Sequence, residues 1–315
     1  MPPPLYTQTV IAFIWDFDKT LTWGYMQQPL FAAYGVDPKQ FWDEVNGLVE
    51  YYERRGLKVS KDTAYLGHLL TYTEGGAPFA GLTNKRLREL GAEIVLAPGM
   101  PEFMERTKQL VADESTYSQH EITVEHYIVS TGLRQMIAGT AVAEAVEGYW
   151  ASELLPDPPG AGYLSQSGDL AVTGRLAQVG YTIDNTSKTR VIFEINKGVN
   201  HDPLVDVNSR MAPEQRRVPF KNMIYVADGP SDVPVFSVIN EYGGKTFGVW
   251  TAGNYNEVMT LQDQGRVNAS AEANYTQGQP ADLWLTRALR MIADEIVADR
   301  QRAFAQIPGA PGHVV

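Results

Sequence analysis

The chain has 315 residues, 44% of them apolar, and carries 26 Lys and Arg against 37 Asp and Glu, a net charge of −11. The length suits a large domain with a smaller one and the composition an ordinary buried core, while the acidic balance argues against nucleic acid and anionic membrane as partners. With no cysteine in the chain, disulfides, zinc thiolate sites and cysteine nucleophiles are excluded.

In chain order, residues 1–9 read as a loose leader. Val10–Trp15 is a short continuous apolar run, the pattern of a strand buried on both faces. It is far shorter than a membrane span of roughly 18 residues, and it lacks the basic lead and small-residue cleavage site of a signal peptide, so a cytoplasmic location is expected. From Thr22 to Ile94 the texture is helical. Phe41, Val45, Leu48, Val49 and Tyr52 recur at spacings of three and four, as do Tyr65, Leu69 and Tyr72, and Ser60 is a candidate N-cap. Several helices without a clear strand predict an inserted helical unit over 22–94.

Strand and helix signals then alternate. A helix is expected over 101–111, a strand over 122–130 ending at Gly132, and a helix over 133–145. The segment 149–180 is rich in Pro, Gly, Ser and Asp, with β-prone pieces around Leu164 and Tyr181, and reads as a hairpin or flap. A helix is expected over 189–196, opened by Lys188, followed by a polar irregular stretch over 198–219. A buried strand over 223–227, a helix over 232–240, a strand over 246–250, a long amphipathic helix over 281–304 and a loose tail from about 306 complete the chain. This alternation predicts an α/β fold, a Rossmann-like, mostly parallel sheet built from 10–21 and 95–305 with the α-helical unit as a cap. In such sheets ligands sit beyond the carboxyl ends of the strands.

Four such positions carry polar residues that make sense together: Asp16, Asp18 and Thr20 after the first strand; Ser130, Thr131 and Gly132 after the second; Lys188; and Asp228 and Asp232 after the strand over 223–227. A phosphate monoester repels a bare carboxylate, and a magnesium ion held by carboxylates, with a lysine and a hydroxyl, neutralises that charge. Asp16 is then a candidate nucleophile and Asp18 a candidate acid and base. Trp23 and Tyr25 follow closely enough to be candidates for lining the pocket, whereas most aromatics of the 22–94 unit are expected in its own core. Lys197, beside Gly198, is a rival to Lys188. The five histidines show no ligand spacing.

These segments resemble the four ordered motifs of the haloacid dehalogenase-like superfamily: Asp-x-Asp-x-Thr, a strand-end Ser or Thr, a Lys, and Asp-Gly-x-x-x-Asp or close variants. The resemblance spans residues 10 to about 250. It implies Asp16 as nucleophile and metal ligand, Asp18 as acid and base with its backbone carbonyl on Mg2+, Ser130 and Lys188 on phosphate, and Asp228 on the metal with Asp232 beside it. Asp18 sets the chain apart from dehalogenases, and Leu21 together with the lack of a membrane span sets it apart from ion pumps. The cap after the first motif and the flap, with Ala151–Leu154 as its start, resemble the phosphoserine-phosphatase-like subgroup. The implied activity is a phosphatase on a small phosphorylated metabolite. The alternatives are a phosphotransferase using the same aspartyl-phosphate, or a regulatory protein that binds a phosphorylated ligand without turnover, which the presence of Asp18 disfavours. Phosphoserine itself is expected to be a poor substrate: the subgroup places a glutamate just after the first motif, and 23–29 contains no acid.

Overall fold

The computed structural model describes residues 8–165 and 174–305. The expected tail at 306–315, most of the expected leader and the middle of the expected flap lie outside the described residues.

A seven-stranded sheet runs in the order β4-β3-β2-β1-β5-β6-β7, with β1 Val10–Trp15, β2 Thr123–Leu133, β3 Gly148–Pro156, β4 Leu176–Tyr181, β5 Met223–Ala227, β6 Lys245–Trp250 and β7 Ala269–Glu272. All neighbours are parallel except β3 and β4. β1 lies between β2 and β5 and is wholly buried from Ile11 to Trp15. Because side chains alternate along a strand, Ile11, Phe13 and Trp15 enter one core and Ala12 and Ile14 the other. A helix packs each face with its apolar stripe. Phe103 of α5 (Glu102–Asp113) and Leu285, Leu289 and Ile292 of α12 (Pro280–Ala305) close the first core. Val191, Ile192 and Ile195 of α9 (Asn185–Lys197) and Val235, Phe236 and Ile239 of α10 (Val233–Glu241) close the second. Among the described residues no helix is long and apolar enough to cross a membrane.

Between Thr22 and Leu96, which form an antiparallel bridge, the chain makes four helices: α1 Gln28–Tyr34, α2 Pro38–Glu53, α3 Lys61–Tyr72 and α4 Asn84–Gly91. The side chains of Asp37 and Ser60 cap α2 and α3 by accepting from Lys39 N and Thr63 N. Phe41 joins the helices, its ring centroid 5.1 Å from those of Phe31 and Tyr72 and 6.4 Å from that of Tyr65.

Several expectations change. The helix expected over 133–145 is two single turns, α7 (Arg134–Ile137) and α8 (Val142–Ala145), which follow the short α6 (Ser115–Gln119) and β2 in the chain. They are interrupted where α4 presses against the sheet domain. A Cβ on Gly139 would lie 1.9 Å from the Arg88 carbonyl oxygen, and one on Gly91 2.1 Å from that of Met136. The piece at Leu164 is a 3-10 turn, Tyr163–Ser165, rather than a strand, because Pro158, Pro159, Gly160 and Gly162 break any ladder. The antiparallel pair expected over 149–180 is present as β3 and β4, but its first strand also extends the main sheet, β3 pairing with β2 from Gly148 to Trp150 and again at Ser152. The short strand β7 and helix α11 (Tyr255–Asp263) went unrecognised, since β7 has no apolar run. The 198–219 stretch is irregular as expected but tied down. Lys197 Nζ donates to the Val207 and Ser209 carbonyls, and Arg217 pairs with Glu125.

The crossing of α4 over α7 yields a stability test. Gly139→Ala forces a methyl into a backbone carbonyl and should cost about 1–3 kcal/mol, read as a lower urea midpoint with an unchanged slope; an unaltered midpoint would mean the crossing yields freely.

Candidate functional site

The site forms where β1, β2 and β5 end. Asp16 extends the ladder one residue beyond β1, its N–H donating to Val226 O at 2.9 Å. The chain then turns sharply, and Phe17 O accepts from the N–H groups of Thr20, Leu21 and Thr22. Lys19 adopts a φ of +55° at this turn, a conformation that costs a side chain something. The turn aims Asp18 back, so that its Oδ1 accepts from Met26 N at 2.8 Å. Thr20 is buried and braces the loop through its carbonyl, which accepts from buried Tyr275 Oη at 2.8 Å.

Lys188 lies within α9 rather than ahead of it. Asp184 caps that helix by accepting from Thr186 N and Ser187 N, so helix formation starts at Asn185. The lysine is 1% exposed. Its Nζ donates to Asp16 Oδ1 at 2.6 Å and to Asp232 Oδ1 at 2.7 Å. Tyr225 Oη also donates to Asp232 Oδ1, at 2.5 Å, and Ser231 Oγ to Asp232 Oδ2 at 2.8 Å. Asp228 is held from β6's side: Asn254 Nδ2 donates to its backbone oxygen at 2.9 Å and to Oδ2 at 3.1 Å, while Asn254 Oδ1 accepts from Thr251 N. Lys197, the rival lysine, is spent on the 198–219 loop.

Asp16, Asp228 and Asp232 each bring a carboxylate oxygen within 4.8 Å of the others. Three carboxylates facing one lysine leave an excess of negative charge in an all-oxygen site, which fits a hard divalent cation. Asp18, expected on the metal through its backbone carbonyl, keeps its carboxylate outside this group.

At the end of β2, Val129 pairs with Trp150 and Leu133 with Ser152, so four residue steps on β2 match two on β3. The surplus bulges the Ser130-Thr131-Gly132 loop, a device common beside active sites. Ser130 is buried with its Oγ accepting from Gly132 N at 3.0 Å. The Thr131 carbonyl accepts from Ser152 Oγ at 3.0 Å. Met26 lies against this loop. Its sulfur accepts from Leu133 N at 3.1 Å, and a Cβ on Gly132 would sit 2.2 Å from its methyl.

The expected pocket residues are placed differently. Trp23 and Tyr25 are exposed. Lys19 Nζ lies 4.4 Å from the Tyr25 ring centroid, and Tyr25 lines a cavity of about 250 Å³ whose walls, including Gln28, Pro29 and Val95, contain none of the carboxylates above. Facing inward instead are Met26 and Gln27, the latter donating to Tyr65 Oη at 3.0 Å. No local signal marked them, because the loop around 23–27 follows no period.

Burial dominates the electrostatics. It pushes Asp16 up to about 6, Lys188 opposing and Asp232 adding to the rise. Burial and then the Asp16 charge push Asp18 up to about 7, against the pull of the Met26 N–H. Burial, Asp16 and Asp232 carry Asp228 well above the usual carboxylate range. Burial alone would lower Lys188, but the charges of Asp16 and Asp232 outweigh it and hold the ammonium charged.

No protein-family model matches the chain. A protein of Borreliella burgdorferi, described only as uncharacterized, is 40% identical over 286 residues, covering 88% of this chain and 96% of that one. The chain belongs to that protein's family. Among solved structures, a haloacid dehalogenase family hydrolase of Salmonella enterica serovar Typhi is 11% identical with a TM-score of 0.50, covering 87% of this chain and 69% of its own. A probable phosphoserine phosphatase of Vibrio cholerae is 13% identical with a TM-score of 0.50, covering 93% and 69%. The fold of this family is therefore haloacid dehalogenase-like, as the motifs anticipated.

The raised carboxylates set a pH dependence. Asp16 and Asp18 titrate at 3.8 ordinarily and at about 6 and about 7 here. The folded state thus keeps protons that the unfolded chain has lost, and stability falls as pH rises through the folded values. In EDTA, the thermal midpoint should drop between about pH 5 and about pH 8; a midpoint that rises over this range would contradict the burial argument.

Proposed function

We propose that the protein is a magnesium-dependent phosphohydrolase acting on a small phosphate monoester through an aspartyl-phosphate on Asp16. The observation that carries this reading is Lys188, buried between Asp16 and Asp232 with Asp228 alongside, at the carboxyl ends of the central strands. A cation spent on structure alone would gain little from such burial, whereas a charge-balanced carboxylate is what a nucleophile for a dianionic ester requires.

Asp16, fixed by the ladder bond behind it, attacks phosphorus with one carboxylate oxygen. A P–O bond to Asp16 forms as the ester P–O bond breaks. Asp18, held by Met26 N–H and raised to about 7, carries a proton in part of the population at neutral pH and gives it to the leaving alkoxide. The same carboxylate then takes a proton from water, whose oxygen attacks phosphorus and frees Asp16 and inorganic phosphate. Lys188 and the hydroxyls of Ser130 and Thr131 are the phosphate ligands in this scheme, with Gly132 leaving room for Met26 against their loop and Thr20 bracing the nucleophile loop. Asp16, Asp228 and the Asp18 carbonyl, with Asp232 beside them, would hold Mg2+, which would supply charge neutralisation at the phosphate. The helices over 28–91 act as a cap that excludes water from the site.

Asp16→Asn should retain the fold and lose roughly a thousandfold or more in kcat on phenyl phosphate with magnesium, and EDTA should abolish wild-type turnover; substantial activity in either case removes the proposal. The lysines separate in a second assay. Lys188→Met should lower kcat/KM by roughly a hundredfold, whereas Lys197→Met should affect only the thermal midpoint. Equal, small kinetic effects would dismiss Lys188 as the phosphate ligand.

A further inference from the structure

Two buried side chains beside the site hold hydrogen-bonding capacity that the fold does not use. Gln27 is 3% exposed and Tyr65 6%. Gln27 Nε2 donates to Tyr65 Oη at 3.0 Å, whereas Gln27 Oε1 is buried with no partner among the described residues. The phenol accepts in that bond, its single hydrogen bond among the described residues, which leaves its own proton uncommitted there. Buried polar atoms without partners are rare in folded proteins and call for a reason.

Their position supplies one. Gln27 follows Met26, whose N–H holds Asp18. Tyr65 reaches the same place from α3, through its bond to Gln27. The pair therefore stands beside the group assigned to protonate the leaving oxygen. It offers one free acceptor and one free donor, both neutral.

Resting on the phosphohydrolase reading, we propose that Gln27 and Tyr65 select the leaving group, and that this group is a neutral alcohol with a second hydroxyl, as in a polyol or sugar phosphate. A single hydroxyl satisfies both partners, donating its proton to Gln27 Oε1 and accepting one from Tyr65 Oη. An ammonium group has no lone pair for the phenol proton. It also finds Glu44 of the insert engaged. Glu44 accepts from Tyr72 Oη at 2.7 Å and Gln40 Nε2 at 2.9 Å and lies 2.7 Å from His68 Nε2. Asp62 lies in the fields of Asp184 and Lys188, raised first by burial. Each free group rejects a ligand that leaves it unpaired.

The test compares kcat/KM with magnesium on glycerol phosphate, sorbitol phosphate, phenyl phosphate, phosphoserine and phosphoethanolamine. The polyol esters should lead and the two cationic esters trail. Tyr65→Phe and Gln27→Met should each lower kcat/KM on the polyol esters about tenfold, and change it on phenyl phosphate, which has no second hydroxyl, by less than about twofold. Equal losses on all esters would reduce the pair to a structural role and overturn the proposal. So would a cationic ester ranked first, which would assign recognition to a carboxylate such as Asp62. In both cases phenyl phosphate turnover leaves the phosphohydrolase reading standing, whereas no turnover of any ester by the wild type removes both. Should a variant fail to fold, the wild-type ranking decides alone.

Discussion

The ion pairs from Lys188 to Asp16 and Asp232 set the terms for everything around them. Three charged groups are taken out of water at the meeting point of β1, β5 and α9, and such burial is tolerable only with near-complete hydrogen bonding. The surroundings meet that demand. Tyr225 and Ser231 serve Asp232, the Asp184 cap begins α9 at the point that brings Lys188 inward, and Asn254 serves Asp228. The arrangement still leaves Asp16, Asp18 and Asp228 poorly accommodated as anions. Instability of this kind, concentrated where a cation would relieve it, is characteristic of sites shaped for binding rather than for folding.

The sheet supplies the rigidity that such a site needs. β1 is buried on both faces and flanked by parallel neighbours, so its end is fixed by two cores at once. Everything after Asp16 follows from that anchor. The turn at 17–22, with Lys19 left-handed, aims Asp18 back and sends the chain out into the helical insert. The first core continues unbroken into the insert through Met26, Leu30, Phe31 and Phe41. Met26 joins both halves, since its backbone holds Asp18 and its sulfur meets the β2 bulge. The insert is thereby packed directly against the groups at the strand ends.

Much of this was legible in the chain. Val10–Trp15 announces a doubly buried strand because no polar residue interrupts it, and Ser60 announces a helix start because its hydroxyl meets an N–H three residues on. The likeness of the four motifs to the haloacid dehalogenase-like pattern agrees with the fold observed. Less legible were elements whose form depends on distant neighbours. The expected helix over 133–145 is broken by the backbone of Arg88, and β7 exists because β6 offers it a ladder.

The sequence by itself determined which residues stand at the ends of strands, because apolar runs and the turns that stop them are local properties of the chain. It determined the chemical kind of those residues as well, carboxylates and hydroxyls, and marked a lysine near a helix start. Which of them meet was decided only by tertiary structure. Lys188 and Asp16 are 172 positions apart, Lys188 and Asp232 44. That Lys188 and not Lys197 meets Asp16 and Asp232 rests on which face of α9 packs against the sheet. Trp23 and Tyr25 turn outward while Met26 and Gln27 turn inward because a loop has no period of its own, and its side chains point where the sheet below and the insert above leave room.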